Sequence, residues 1–282
     1  MTSDTFFLYN KIQELLKKSF AMAILNLSPD SFSGDGATTS LLQERIEALI
    51  ASGVGCIDIG AQSTRRGAVQ ISIEEEETKI RYAVLLVRQK SSTVIISVDT
   101  TRASVAKVAI EVGADIINDI SGGQFDNEMY DVIKAHPHVI YVLGHVQGTF
   151  ESMHASYIYK DVAQDLVQYA NTKISFLEAQ GIKKGRIIFD PCIGFSKNKK
   201  ENLAIIRDIE KLVDSISAPV LIGLSRKGFI KTIIGQEDND SLDRYTLALY
   251  SALVSKGVKV IRTHEIIHTM NMLALVHQIY EQ

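Results

Sequence analysis

The sequence has no tryptophan, only 4 prolines and 2 cysteines, and no apolar run long enough to cross a bilayer. Each shortage removes a class of explanation. Cys56 and Cys192 cannot supply a disulfide framework; both sit in apolar strand contexts, which points to a reducing compartment and a cytoplasmic location. The N-terminal segment has no basic stretch leading into a long apolar one, and AMAIL (21–25) is too short for a signal or a span, so no membrane association is expected. Neither charge sign dominates. The 30 Lys and Arg against 33 Asp and Glu leave a net charge of -3, which gives no electrostatic case for nucleic acid as a partner. With 46% hydrophobic and 22% charged residues, the 282-residue chain reads as a folded globular protein.

What is present is an alternation. Continuous apolar runs, the pattern of parallel strands covered on both faces, occur at 21–27, 56–60, 94–100, 115–120, 138–145, 186–191, 219–225 and 258–264. Helical patterns follow at roughly 40–52, 72–90, 101–112, 126–135, 160–180, 200–214, 239–256 and 265–280. Ser72 before IEEEE, and Thr100 or Thr101 before RASVAKVAIEVG, read as helix starts. Repeated βα units without a linker or composition break predict a single α/β domain over 1–282, a closed (β/α)8 TIM barrel, with 1–20 packed on one end of it.

Active sites of such barrels lie at the C-terminal ends of the strands. Those ends carry Asn26, Asp99, Asn118, Asp119, His145, Asp190, Ser225, Arg226, Lys227, Arg262, Thr263 and His264. Charges gathered at one mouth are costly to bury unless paired or functional. Basic groups after strands 7 and 8 occupy the usual phosphate corner, while two carboxylates and an amide on strands 3, 4 and 6 suit a heterocycle with adjacent N–H donors. The expected ligand is a polar heterocycle carrying a phosphate or pyrophosphate. A polar Gly/Ser/Asp-rich loop after strand 1 is far longer than the usual strand-to-helix connection of about 2–6 residues and reads as a lid.

LNLSPDSFSGDG, IDIGAQSTRRGA, SVDTTRASVAKVAIEVGADIINDISGG, IIFDPCIGFSKNKKENL, PVLIGLSRKGF and IRTHE, in that order, resemble the motifs of the dihydropteroate synthases. The resemblance implies condensation of a dihydropterin pyrophosphate with p-aminobenzoate, on the way to folate, through departure of pyrophosphate. It also implies sulfonamides as inhibitors and a homodimer. It places Asp99, Asn118 and Asp190 on the pterin and Lys227 on its ring oxygen, Asp99 and Lys227 being the catalytic pair. Phe195 is expected beside the pterin. Arg262, Thr263 and His264 are expected at the pyrophosphate, Asn26 at a bridging Mg²⁺, and Thr64, Arg65 and Ser225 in substrate contacts. Arg66, Gly228 and Cys192 depart from the family pattern, which has Pro, a small polar residue and Gly there, and GHVQGTF replaces MHMRGTP-like text. Arg66 and Gly228 lie on the p-aminobenzoate side.

Two other functions remain open from sequence: a corrinoid-linked methyltransferase pterin domain and a pterin-binding paralogue without synthase activity. The HEIIH at 264–268 matches a zinc-protease helix motif, but it begins at a strand end. The acidic run at 74–77 and KNKKE at 197–201 read as solvated helix starts, with Lys197 close to the mouth.

Overall fold

A computed structural model describes residues 3–27, 36–155, 157–235 and 238–280. The strands are β1 (Phe20–Asn26), β2 (Cys56–Gly60), β3 (Ile95–Asp99), β4 (Ile116–Asp119), β5 (Ile140–Gly144), β6 (Ile187–Asp190), β7 (Leu221–Ile222) and β8 (Val260–Thr263). All pair in parallel, in the order β6-β5-β4-β3-β2-β1-β8-β7. A single Phe189–Val220 bridge joins β6 to β7 and closes the (β/α)8 barrel.

Side-chain parity decides what faces inward. Phe20, Met22, Cys56, Ile95, Ile116, Ile140, Val142, Ile188, Leu221 and Val260 form one buried apolar cluster, the floor of the barrel. The alternate strand residues, such as Ala23, Ile57, Ile96, Ile117 and Ile261, join the larger cluster under the surrounding helices. The first helix, α1 (Ser3–Lys17), inserts Ile12 into the floor cluster, with Leu15 and Leu16 against it. It is tied down by Lys11 Nζ donating to the Thr93 carbonyl at 2.5 Å and by Gln13 Nε2 donating to the Gly185 carbonyl at 3.1 Å.

The outer helices are α2 (Gly36–Ala51), α3 (Ile73–Lys90), α4 (Ala103–Glu111), α5 (Met129–Ala135), α6 (Val162–Ala179), α7 (Lys199–Arg207), α8 (Ile209–Ser215), α9 (Gly228–Ile234), α10 (Asn239–Val254) and α11 (Ile266–Tyr280). Ser72 caps α3, accepting from the Glu75 amide at 3.1 Å. Neither Thr100 nor Thr101 caps α4. Its N-cap is Arg102, and the carboxylate of Asp126 accepts the first helical amide, that of Ala103, at 2.7 Å. The single helix expected at 200–214 is broken at Asp208, and α9 forms in a stretch where no helix is expected. Among the described residues, no helix is long and apolar enough to cross a membrane.

The acidic start of α3 is not wholly solvated. Glu76 is 1% exposed and accepts from Thr100 Oγ1 at 2.7 Å and Arg102 Nη1 at 2.8 Å, tying α3 to the β3–α4 turn. Arg186 does similar work under β5. Its buried guanidinium donates to the carbonyls of Val139 (2.8 Å), Ile133 (2.8 Å) and His136 (2.9 Å). Arg186→Met would leave these acceptors short of donors. We expect a loss of about 2–4 kcal/mol of stability, read as a lower urea midpoint with an unchanged slope.

Candidate active site

Register assembles the mouth. Asn26 pairs with Gly60, Gly60 with Asp99, and Asp99 with Asn118, so these residues form one row across four strands. Gly60 adds no side chain to the row, and a Cβ there would sit at ordinary contact distance, 3.5 Å from the Asp99 Cβ and 3.7 Å from Asn26 Oδ1. Asp190 ends β6 in register with Gly144, and its Oδ1 accepts from the Cys192 amide at 2.7 Å. Cys192 stands at φ 50°. That left-handed conformation explains why glycine is usual at this position and means that Cys192 holds some backbone strain.

One tier below, Asp58 gathers Ser97 and Arg262 together with Asn118 of the row above. Asp58 is fully buried. Its Oδ1 accepts from Ser97 Oγ at 2.5 Å, and its Oδ2 accepts from Asn118 Nδ2 at 3.1 Å and Arg262 Nε at 2.6 Å. Arg262 Nη2 reaches Asp99 Oδ2 at 2.7 Å. The buried Asn118 Oδ1 has no partner among the described residues. An amide oxygen held this way is ready for an N–H donor from a ligand.

Electrostatics follow from this crowding. Burial, with Asp58, Glu76 and Asp119 nearby, pushes the Asp99 carboxyl up to about 7 despite Arg262. Burial also raises Asp190, opposed by Lys227, Arg262 and Lys197. Lys227 is lowered by burial, and its ammonium lies 4.4 Å from the centre of the Phe195 ring. Burial, then the Arg226 and Arg262 cations, bring His264 down to about 4, so its imidazole is neutral near pH 7. Its Nδ1 lies 3.0 Å from Ser225 Oγ, which also accepts the His264 amide at 3.2 Å.

Several strand-end residues face elsewhere, because successive side chains alternate across a strand. Thr263, expected among the substrate contacts, turns its hydroxyl to the start of α11, where it accepts the Glu265 amide at 3.1 Å. Asp119 is spent on Ser121, the Gly123 amide and Tyr141 Oη. His145 packs edge-on against Tyr169 at 4.6 Å. Arg226 forks onto Asp243 of α10, with Nη2 at 2.8 Å and Nε at 3.2 Å. In the HEIIH segment, His268 pairs with Glu265 at 2.9 Å while His264 pairs with Ser225, so the two imidazoles are engaged separately. Lys197, read as partly solvated, is buried; it supports the β6 loop through the carbonyls of His145 and Phe195, both at 3.1 Å.

The strand-2 loop carries Thr64 and Arg65 and borders a cleft of about 880 Å³ shared with Arg66, Glu151 and His154. His154 Nε2 donates to the Thr64 carbonyl at 2.7 Å, Arg66 Nη2 donates to the His154 carbonyl at 3.1 Å, and the His154 ring stacks on Phe195 at 5.2 Å. Arg66 thus clips the loop to the segment after β5, at the position where the family pattern has a stiffening proline. The clip is exposed and modest. Arg66→Ala removes one exposed polar contact and should loosen this loop, read as faster amide exchange at 64–69 with the strands unchanged. The strand-1 loop read as a lid (30–37) lies mostly in 28–35, outside the described residues.

Asp58 and Ser97 were missed from sequence. The available signal was a polar residue inside each of two apolar runs, IDIG and IISVD, at inward parity.

A profile of the pterin binding enzyme family matches residues 22–264. The chain is 34% identical over 252 residues to a dihydropteroate synthase of Synechocystis, covering 89% of this chain and 86% of that protein. The chain belongs to the dihydropteroate synthase family of pterin-binding enzymes. It is also 38% identical over 268 residues to a folate synthesis bifunctional protein of Arabidopsis thaliana, covering 89% of this chain and 54% of that one. It therefore spans about half the length of this bifunctional relative. Among solved structures, the dihydropteroate synthase of Xanthomonas albilineans with 4-aminobenzoic acid superposes at a TM-score of 0.85, with 28% identity and 95% of each chain covered.

Proposed function

We propose that this dihydropteroate synthase family member condenses 6-hydroxymethyl-7,8-dihydropterin pyrophosphate with p-aminobenzoate, giving 7,8-dihydropteroate and pyrophosphate. The observation that carries the reading is the unpartnered, buried Asn118 Oδ1 in the same mouth as Asp99, Asp190 and Lys227. An amide oxygen and two carboxylates accept from the ring and amino N–H groups of a pterin, and the Lys227 ammonium donates to its ring oxygen. Phe195, 9% exposed and beneath Lys227, gives the ring an apolar wall. The Xanthomonas albilineans structure with 4-aminobenzoic acid supports the second substrate.

In the reaction, the bond from the pterin methylene carbon to the pyrophosphate oxygen breaks and its electron pair leaves with pyrophosphate. The amine lone pair of p-aminobenzoate then forms the C–N bond, and the nitrogen loses a proton. Asp99 and Asp190 as anions favour the positive charge that develops on the pterin. Asn118 and Lys227 orient the ring. The phosphate corner is short of free cations, since Arg226 is paired with Asp243 and Arg262 with Asp58 and Asp99, while His264 is neutral. Among the described residues, Ser225, His264 and the exposed Arg65 are left to contact pyrophosphate there.

A Mg²⁺ ion fits that shortage. Magnesium is commonly held by one or two protein oxygens together with substrate phosphates. Asn26 offers an exposed amide oxygen at the end of β1. Bound there, the ion would neutralise charge on the leaving group.

We place the protein in the cytoplasm, where its two free, buried thiols stay reduced. The solvent side of α11 exposes Ile267 (55%), Leu275 (66%) and Ile279 (64%), a stripe that supports a homodimer, and sedimentation would show a mass of twice 31.2 kDa. The decisive experiment supplies both substrates with Mg²⁺ and follows pyrophosphate and dihydropteroate. Pterin binding without product would support a non-catalytic paralogue instead, and methyl transfer to a corrinoid the methyltransferase reading.

A further inference from the structure

We propose that Asp58 is the positioning residue of the pterin end, fixing the Asn118 amide with its oxygen toward the ligand and holding Arg262 beside Asp99. This rests on the pterin-binding part of the function proposed above. Asp58 touches no open space, so it cannot meet substrate itself. Its carboxylate accepts three side-chain donors, from Ser97, Asn118 and Arg262. The Asn118 amide could sit in either of two flips. The alternative flip would set Asn118 Oδ1 against Asp58 Oδ2, acceptor against acceptor. The carboxylate therefore selects the flip that leaves Oδ1 for a ligand donor. The same Oδ2 accepts from Arg262 Nε, which fixes the plane of the guanidinium and sends its Nη2 to Asp99 Oδ2 at 2.7 Å.

Asp58→Asn is the informative change, because the new amide keeps the shape and loses both the charge and an acceptor. If its Nδ2 turns to Ser97, whose hydroxyl can accept, its one oxygen serves Asn118 and Arg262 without the charge; if its Nδ2 turns to Asn118, that amide must flip and present a donor where the ligand needs an acceptor. We expect the Kd for 6-hydroxymethyl-7,8-dihydropterin, measured by calorimetry, to rise at least about tenfold, with the p-aminobenzoate KM within about twofold.

A second readout separates positioning from mere folding. The groups around Asp99 are Arg262 on β8, Asp58 on β2, Glu76 on α3, Asp119 on β4 and Lys227 after β7. Removing the Asp58 charge, and leaving Arg262 to Asp99 alone, both favour the Asp99 anion. The pH midpoint for pterin binding should move down from about 7, by roughly one pH unit. A variant that is only less well folded would scale all affinities together and keep the midpoint.

Ser97→Ala is the milder partner, since it leaves every charge in place and removes one donor to Asp58. It should raise the pterin Kd about two- to fivefold and leave the p-aminobenzoate KM unmoved. An unshifted midpoint in Asp58→Asn overturns the proposal. So does an unchanged pterin Kd in Ser97→Ala, which decides the matter if Asp58→Asn does not fold. Turnover by the unaltered protein is a separate measurement: pterin binding without turnover refutes synthase activity and leaves the role of Asp58 standing.

Discussion

Arg262→Ala should weaken binding of phosphate-free hydroxymethyldihydropterin about as much as binding of its pyrophosphate ester. The sequence alone implied the opposite, a guanidinium reserved for the leaving group and a large loss confined to the ester. The structure spends Nε on Asp58 and Nη2 on Asp99, at 2.6 and 2.7 Å. The guanidinium is thus an internal counter-ion for two carboxylates at the pterin end. Removing one partner of a buried, hydrogen-bonded charge pair costs roughly 2–5 kcal/mol, which corresponds to roughly a 30- to 4,000-fold loss of affinity. The cost falls on the Asp99 carboxyl, which without its cation is pushed further toward the neutral form and accepts less well from the ring N–H groups. Calorimetry with both ligands decides it, and Arg262→Lys should recover part of the loss, because it restores the charge without the planar fork. A loss seen only with the ester would return Arg262 to the pyrophosphate.

The fold was legible because strand burial leaves a strong one-dimensional trace. Seven of the eight strands fall inside the mainly apolar runs read from sequence, β1 begins one residue before its run, and each run is followed by a helix. Element ends were less legible. The start of α4 at Ala103 depends on a contact from a later segment, at Asp126, and the apolar spacing runs on through the break between α7 and α8 at Asp208. In the site, Asp99, Asn118 and Asp190 were visible because a charge or an amide ending an apolar run stands out. Thr263 and Asp119 end strands in the same way, yet they belong to the outer face; their neighbours Arg262 and Asn118 belong to the inner one. Only parity within the closed barrel separates them. The partner of Arg262 was out of reach for another reason. Asp58 lies 204 positions away on β2, and the two meet across the barrel interior, with β1 between their strands. Glu76, in a run of four acids, was indistinguishable by composition from its exposed neighbours; only the path of the β3–α4 turn selects it for Thr100 and Arg102.

Pterin binding should release a proton below neutral pH. In the protein alone, burial and nearby carboxylates hold the Asp99 carboxyl at about 7, against 3.8 for the free group. The folded, unliganded protein therefore binds a proton at this site more readily than the unfolded chain does. Its contribution to stability is present below about pH 4 and is lost as pH rises through about 7. A pterin that donates an N–H to the Asp99 oxygen favours the anion, so binding must expel that proton wherever the site is still protonated. Affinity should fall about tenfold for each pH unit below neutrality, as linkage to one proton requires, and level off above it. Calorimetry at pH 6 in buffers of different ionisation enthalpy should report close to one proton released. Asp99→Asn should abolish both the release and the slope. It should also cost roughly 2–3 kcal/mol in affinity, the scale of a lost hydrogen bond to a charged group. Lys227 does not mimic this signal. Its ammonium is lowered by burial and is supported by Asp190 and Asp99, and a cation whose charge the ligand oxygen favours takes up a proton on binding. Proton uptake at pH 6, or no linkage at all, would mean that Asp99 meets the ligand as a neutral acid and donates to it.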